Sequence, residues 1–177
     1  MSLLPIITYP NPVLKTVCKP VEKVTKEIQK LLEEMAETMY AAPGIGLAAP
    51  QVNVLKRVIV IDTVWKQEES GRQLYQLVNP VIVERSGSIE WEEGCLSIPE
   101  FSQIMKRSQK VTVKALDKSG KEIVIDAEEL LAVCLQHEID HLDGKLIIDK
   151  ASRLKRKLYL DKIKKHQHME HHPQAIL

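Results

Sequence analysis

The sequence predicts an α+β fold in a single domain, in which antiparallel β-sheets surround one buried helix. Three observations favour this class: an amphipathic helical stripe near the start, short strand patterns in the middle, and a later helix that is apolar on every side. A chain of 177 residues needs no second domain, because a core of that size can bury about 70% of the unfolded surface. We expect residues 1–150 to form the main body, and residues 151–177 to add a C-terminal helix and a His-rich tail to the same domain.

The first helix is predicted over residues 25–40. Its apolar residues recur at helical spacing, and charged residues occupy the opposite face. The apolar positions are Ile28, Leu31, Leu32, Met35 and Met39. The breaker pair Pro43 and Gly44 ends the helix, and the small residues at 44–51 predict a close-packed loop.

Strand patterns fill the middle of the chain. They are rich in β-branched residues, and the second is broken by Asn79 and Pro80. Residues 117–120 supply a hairpin turn between the last two strands. The predicted strands are 57–61, 74–83, 111–116 and 122–125.

A buried helix comes after the strands. Asp126 and Glu129 have the spacing of a capping box at its start, and Gly144 is expected to close it. Residues 130–135 are apolar on every side, which predicts burial.

The last segment, from Ser152 to about Lys165, predicts a helix packed by one face through Leu154, Leu158 and Tyr159. Beyond it we expect a disordered end, because glutamine, glutamate and proline interrupt any repeated ligand face. Four of the six histidines lie there: His166, His168, His171 and His172.

Composition narrows the function classes. A net charge of +1 provides no basic field for nucleic acid or membranes, and no apolar run approaches the roughly 20 residues of a membrane span. The N-terminus also lacks the pattern of a signal peptide, so we expect a cytoplasmic protein with small or peptide-like substrates. Three cysteines are too few for a disulfide framework, which predicts free thiols or metal ligands.

The most informative motif is His137-Glu-Ile-Asp-His141 in the buried helix. Residues four apart share a helix face, so both imidazoles can bind one cation, and Glu138 can reach a water on it. A polar surface with incidental histidines is the alternative, but the preceding turn is too apolar for a solvated face.

A catalytic metal site normally has three protein ligands, so a third must be found. The longer metalloprotease pattern fails, because Ile147 stands where its last histidine should be. Asp161 has the spacing of a thermolysin-like carboxylate, although its lysine-rich helix favours a solvated i,i+4 partner of Lys157 or Lys165. Cys95 is the other candidate, and a buried, inert thiol is as compatible with its surroundings as a ligand.

Three segments, in this order, resemble the signature motifs of the peptide deformylase family. They are Gly44-Ile-Gly-Leu-Ala-Ala-Pro-Gln51, Glu93-Gly-Cys-Leu-Ser97 and Gln136-His-Glu-Ile-Asp-His-Leu-Asp-Gly144. The likeness extends from about Pro5 to Leu146. It implies a metal-dependent amidohydrolase that removes the N-formyl group from formyl-methionyl nascent polypeptides and releases formate.

The resemblance also implies roles for individual residues. Cys95, His137 and His141 would hold one divalent metal per chain, commonly ferrous iron, with zinc and nickel as alternative occupants. Glu138 would be base and acid, and Gln51 with the Leu96 N–H would bind the oxyanion.

The rest of the substrate site is less sharply defined by the sequence. The resemblance implies that the Gly46 backbone holds the peptide. An apolar pocket for the methionine side chain is predicted from Val133 and Leu130, one and two turns before His137, and from Ile45, although each could equally be a plain core residue.

Arg107 is a candidate contact for the substrate backbone or a partner of Asp140, with a solvated arginine as the alternative. Trp65 and Trp91 are assigned to packing, as are Cys18 and Cys134.

The sequence leaves two rival functions open: an endopeptidase that uses Asp161, and a non-catalytic relative that keeps the fold as a binding module. We expect no sequence-specific nucleic acid and no membrane as partners. A transient contact of the terminal helix with the ribosome stays open, as do the native metal, the oligomeric state and any preference beyond the first methionine.

Overall fold

The computed structural model describes the backbone of residues 2–171 and the side chains of residues 2–167. Over this part of the chain it contains three α-helices and seven β-strands, together with short 3-10 helices. The elements are α1 (Lys26–Ala41), β1 (Gly46–Ala48), β2 (Val58–Ile61), β3 (Tyr75–Ser86), β4 (Ile89–Cys95), β5 (Ile98–Arg107), β6 (Lys110–Leu116), β7 (Glu122–Glu128), α2 (Glu129–Leu142) and α3 (Arg153–His171). The predicted α+β class is confirmed.

Two antiparallel sheets enclose α2. One sheet has the strand order β1-β2-β3-β6-β7, and the other is the hairpin β4-β5. Strand β2 is buried on both faces: Ile59 and Ile61 pack in the cluster that contains α2, whereas Val58 and Val60 pack in the cluster that contains α1. This two-sided burial explains why β2 reads as a continuous β-branched run and does not alternate with polar residues.

Helix α1 matches the predicted stripe closely. The Thr25 hydroxyl accepts a hydrogen bond from the Ile28 N–H at 3.4 Å and caps the first turn. Ile28, Leu32, Met35 and Met39 are buried, so the apolar face covers one side of the sheet.

Helix α2 is buried as predicted, but it begins later than the capping box suggested. Asp126 still belongs to β7, and its carboxylate accepts a hydrogen bond from the Thr112 hydroxyl at 2.8 Å on the neighbouring strand. Asp126 therefore pairs with Thr112 across the sheet and does not cap the helix. The sequence around Asp126 does not reveal this partner. At the other end Gly144 has a φ of 69° and comes after the helix, in agreement with the prediction.

Three further predictions need correction. Residues 44–51 are not an irregular loop, because β1 pairs with β2 there and a 3-10 helix, Ala49–Val52, comes next. Strand β3 is not broken at Asn79 and Pro80 but passes them through a bulge, where the Asn79 side chain exchanges two hydrogen bonds with the Val21 backbone. The predicted strands pass from 74–83 directly to 111–116 and omit the hairpin β4-β5.

Helix α3 begins as predicted and continues to His171, six residues past Lys165, so His166 lies in a helix and not in a disordered end. Tyr159 is buried, but Leu154 and Leu158 are 67% and 60% exposed, which corrects the predicted packing face. His172 and the remaining tail lie outside the described residues. Within those residues, no helix is both long and apolar enough to cross a membrane.

The end of α2 gives a test of this packing. Replacing Gly144 with alanine should destabilise the fold, because its φ is 69° and an added Cβ would lie 2.5 Å from the Lys15 carbonyl oxygen. Gly71 is a matched control, since its φ is 66° but no atom lies within 4 Å of the added Cβ. We expect Gly71→Ala to cost about 1 kcal/mol of unfolding free energy and Gly144→Ala at least about 1 kcal/mol more, measured by urea denaturation. Equal losses would contradict the close contact with Lys15.

Candidate active site

Three segments bring the candidate residues together. Strand β1 and the 3-10 helix after it carry Gly46 and Gln51, the end of β4 carries Cys95, and one face of α2 carries His137, Glu138 and His141. Cys95 is the last residue of β4, where the register shifts before the turn into β5. The sheet therefore delivers a thiol to the face of the helix that presents both imidazoles.

Within the described residues, one group of side chains has the spacing to hold a metal ion: Cys95, His137 and His141, whose ligand atoms lie within 4.8 Å of one another. The Cys95 sulfur is 3.4 Å from His141 Nε2, which is 3.2 Å from His137 Nε2. A tetrahedral site with ordinary metal–sulfur and metal–nitrogen bonds requires about 3.5 Å and about 3.3 Å. The donor set therefore fits one divalent metal. Asp161, on the exposed side of α3, is not part of the group.

A buried carboxylate orients the first histidine. Glu93 Oε1 lies 2.8 Å from His137 Nδ1, and since an ionised carboxylate can only accept, Nδ1 carries the proton and Nε2 is left free for a metal. Arg107 donates to both oxygens of Glu93, from Nε to Oε2 at 2.8 Å and from Nη2 to Oε1 at 2.9 Å. Burial opposes ionisation of Glu93, but the hydrogen bonds from Arg107 and His137 outweigh it and lower its pKa.

Arg107 is thereby excluded from its predicted contact with the substrate. Its third nitrogen, Nη1, donates to Asp140 at 2.6 Å, so the guanidinium is committed to two carboxylates and does not line the cavity. The alternative prediction, that Arg107 satisfies Asp140, is confirmed. A solvated arginine is also excluded, because the side chain is 7% exposed.

The two imidazoles differ in their affinity for a proton. Burial lowers the pKa of His141 well below its ordinary value, and the neighbouring His137 and Arg107 lower it further. For His137 burial is the largest single effect and lowers the pKa, but the hydrogen bonds with Cys95 and Glu93 and the nearby charges of Glu138 and Cys95 together outweigh it and raise the pKa. His141 is therefore the imidazole that stays neutral most readily, which is the form that binds metals.

Glu138 faces the backbone of β1. A Cβ added to Gly46 would lie 2.4 Å from Glu138 Oε1, so only glycine leaves room for the carboxylate there. Glu138 Oε2 is buried and has no hydrogen-bond partner among the described residues. Burial raises the pKa of Glu138 to about 7; His137 opposes this rise and Glu93 adds to it. A carboxyl group with such a pKa can both accept and release a proton near neutral pH.

Gln51 is held so that its amide nitrogen faces the metal group. Its Oε1 accepts from the Ala48 N–H at 2.9 Å, while Nε2 donates to Ser97 Oγ at 3.0 Å and lies 3.6 Å from the Cys95 sulfur. The N-terminal segment also fixes the backbone of Gln51 and of Ser97, because the N–H groups of Ile7 and Tyr9 donate to their carbonyl oxygens. The donor therefore points into the site before any substrate arrives.

One cavity of about 650 Å³ connects these groups. Nine of the eleven predicted site residues line it; His141 lies deeper, and Arg107 lies behind Glu93. Trp91, which was assigned to packing, also lines it. The predicted residues on its wall are Ile45, Gly46, Gln51, Cys95, Leu96, Leu130, Val133, His137 and Glu138.

Two contributors to the site were not assigned a role from the sequence. Glu93 lies two residues before Cys95 on β4, and alternate residues of a strand share a face, so this spacing could have suggested a partner for the ligands. Ser97, which orients Gln51, carries no comparable signal in the sequence.

The chain is similar throughout its length to known proteins. The family model described as polypeptide deformylase matches residues 3–157. A peptide deformylase of Thermodesulfovibrio yellowstonii is 53% identical over 164 residues, covering 93% of this chain and 98% of that protein. One of Hydrogenovibrio crunogenus is 51% identical over 165 residues, covering 93% and 95%. The crystal structure of a peptide deformylase from Legionella pneumophila, 44% identical, superposes with a TM-score of 0.87 over 96% of this chain and 98% of that one.

The role of Glu93 can be tested through metal affinity. Glu93→Gln should weaken metal binding by about 10- to 100-fold, because the amide cannot hold His137 Nδ1–H as strongly as the carboxylate does. The measurement is competition with a chelator, and Glu92→Gln is the matched control, since Glu92 is exposed and its carboxylate accepts a hydrogen bond from the Ser102 hydroxyl. If Glu93→Gln keeps its metal affinity and loses only stability, then Glu93 serves only to pair with Arg107 and does not orient His137.

Proposed function

We propose a mechanism for this chain, which belongs to the peptide deformylase family and removes the N-formyl group from nascent peptides. In the proposed mechanism Cys95, His137 and His141 hold one divalent metal and Glu138 transfers the proton. The observation that carries this assignment is the convergence of one sulfur and two imidazole nitrogens within 4.8 Å, at the edge of the cavity that Glu138 lines.

The proposed metal is ferrous iron, with zinc and nickel as alternative occupants. A thiolate together with two imidazoles is a donor set of intermediate softness, which suits these ions better than magnesium or calcium. When bound, such a metal supplies a Lewis acid that lowers the pKa of water to about 7.

Glu138 acts as base and then as acid. Its carboxylate accepts a proton from the water that attacks the formyl carbon, and it returns that proton to the peptide nitrogen as the C–N bond breaks. Formate and a free amino terminus are the products. The position of Glu138 supports this role, because its buried carboxyl group lines the cavity and its Oε2 has no hydrogen-bond partner among the described residues.

Gln51 Nε2 and the backbone N–H of Leu96 stabilise the negative charge that develops on the formyl oxygen. Gln51 is supported in this role by its fixed amide, 3.6 Å from the Cys95 sulfur, and Leu96 by its position directly after Cys95. A preorganised donor of this kind contributes about 3 kcal/mol to the barrier reduction.

The substrate chain is held by the Gly46 backbone, and the methionine side chain occupies the apolar part of the cavity beside α2. Ile45, Leu130 and Val133 support this placement, since all three line the cavity near His137. An apolar pocket selects a large unbranched side chain mainly by the area that it removes from water.

Anaerobic turnover of a formyl-Met-Ala-Ser peptide, with metal content measured, tests the proposal. The intact protein should release formate with about one metal per chain, and Glu138→Ala should keep the metal but lose about 100- to 10,000-fold in kcat. Cys95→Ser should lose the metal, whereas Cys134→Ser, a matched change at a cavity thiol outside the ligand group, should retain it.

Other outcomes would support the rival functions. Cleavage of internal peptide bonds without formate would favour an endopeptidase. Metal binding with no hydrolysis at all would favour a binding module. If Cys95→Ser retains the metal, the Cys95 thiol is not one of its ligands.

We further propose that the protein works in the cytoplasm and touches the ribosome transiently through the outer face of α3. Leu154 and Leu158 are more than half exposed and lie one turn apart, among basic residues such as Arg153 and Lys157. Replacing both leucines with serine should reduce co-sedimentation with ribosomes while formate release from free peptide stays within about twofold. Unchanged co-sedimentation would contradict the contact.

A further inference from the structure

We propose that α3 holds one wall of the substrate cavity: Lys155, Tyr159 and Lys162 position residues 99–103 at the start of β5 and so set the affinity for the peptide beyond its first residue. This inference rests on the proposed function of the same site. It assigns to the terminal helix a role in substrate binding that is separate from its exposed leucine face.

The three side chains lie on one face of α3 and each bonds to the β5 segment. The Tyr159 hydroxyl donates to the Pro99 carbonyl at 2.8 Å. The Lys155 ammonium donates to the Ser102 carbonyl at 2.6 Å and to Gln103 Oε1 at 2.9 Å, and Lys162 pairs with the Glu100 carboxylate at 2.9 Å. Residues at i, i+4 and i+7 share a helix face, so one edge of α3 runs along the strand.

Aromatic packing reinforces the hydrogen bonds. The Phe101 ring meets the Tyr159 ring edge to face, with centroids 5.2 Å apart, and the Lys155 ammonium lies 4.8 Å from the Phe101 centroid. Phe101 is buried, in the cluster that also contains Tyr159. The helix therefore fixes both the backbone and a side chain of this segment.

The backbone held in this way has an unusual conformation. Glu100 has a φ of 57°, which non-glycine residues rarely adopt, and such a conformation persists where the surroundings impose it. The contacts from α3 lie on both sides of Glu100 and on its own side chain. They are the surroundings that can keep the segment in this shape.

The segment faces the cavity where the later residues of a peptide would lie. Pro99, Glu100 and Phe101 line the cavity, and so do Pro43 and Gly44. If the methionine side chain enters beside Leu130 and Val133, these two stretches of backbone belong to the part of the wall along which the second and third residues of the peptide can lie. A wall that shifts should therefore weaken the binding of longer peptides more than that of formyl-methionine alone.

The matched family model covers only part of this contact. The family model ends at residue 157, so Tyr159 and Lys162 lie beyond the matched region. Only Lys155 lies within it.

Steady-state kinetics with two substrates tests the inference. In the full-length metal-loaded enzyme, Tyr159→Phe with Lys162→Met should raise KM for formyl-Met-Ala-Ser about 3- to 10-fold. The kcat for this peptide and the KM for formyl-methionine amide should stay within about twofold.

The matched control is Lys157→Met with Lys164→Met, because both lysines are exposed and lie off the contacting face. It should leave all three constants within about twofold. Thermal melting checks that each variant folds, and Lys155→Met replaces the double variant if that one does not.

An unchanged KM for the tripeptide, or equal rises for both substrates, would overturn the role of α3. That result is distinguishable from failure of the proposed function, because it requires an intact enzyme that releases formate. If the intact enzyme releases no formate from either substrate, the proposed function fails and the inference fails with it.

Discussion

The buried carboxylate of Glu93 is the constraint on which the active site depends. It accepts from His137 on α2 and from Arg107 on β5, while Glu93 itself lies on β4, so one side chain joins the helix to both strands of the hairpin. A carboxylate buried to this degree is unfavourable unless its oxygens are fully paired. Its burial therefore requires the three elements to be correctly assembled, and correct assembly also brings Cys95 to the histidines.

The five-stranded sheet supplies the rigid side of this arrangement. Helix α2 packs on that sheet through Ala132, Leu135, Ile139 and Leu142, and the opposite face of the helix carries the site. Because the helix is buried on both sides, its histidines cannot turn away to solvent. Gly46, on the first strand of the same sheet, lies close to the carboxylate of Glu138. The sheet therefore borders the proposed base as well as the helix that carries it.

The sequence predicted the features that depend on neighbours along the chain. Helix α1, the burial of α2, the Asp117–Gly120 turn and the pair His137 and His141 all depend on local spacing. The errors share one cause: the deciding partner lies far away in sequence. Asp126 was expected to cap a helix but bonds to Thr112 on β6. For Arg107 the sequence left substrate, Asp140 and solvent open; the pair with Asp140 is confirmed, but the pair with Glu93 was not predicted. The proposed third ligand, Cys95, is equally distant in sequence from the histidines, and the family resemblance rather than spacing favoured it over Asp161.

Arg107 also shows why a charged residue near a site need not touch the substrate. With Glu93 and Asp140 it forms a cluster of one cation and two anions, in which Glu93 contributes the negative charge that faces His137. That charge stabilises the Nδ1–H of His137 and makes its Nε2 a better donor to a metal. The pairing of Arg107 keeps the effect moderate, because an unpaired Glu93 beside Glu138 would raise the pKa of the proposed base further. Arg107 thus acts on the chemistry through two carboxylates, one of which orients the ligand while the other anchors the guanidinium to α2.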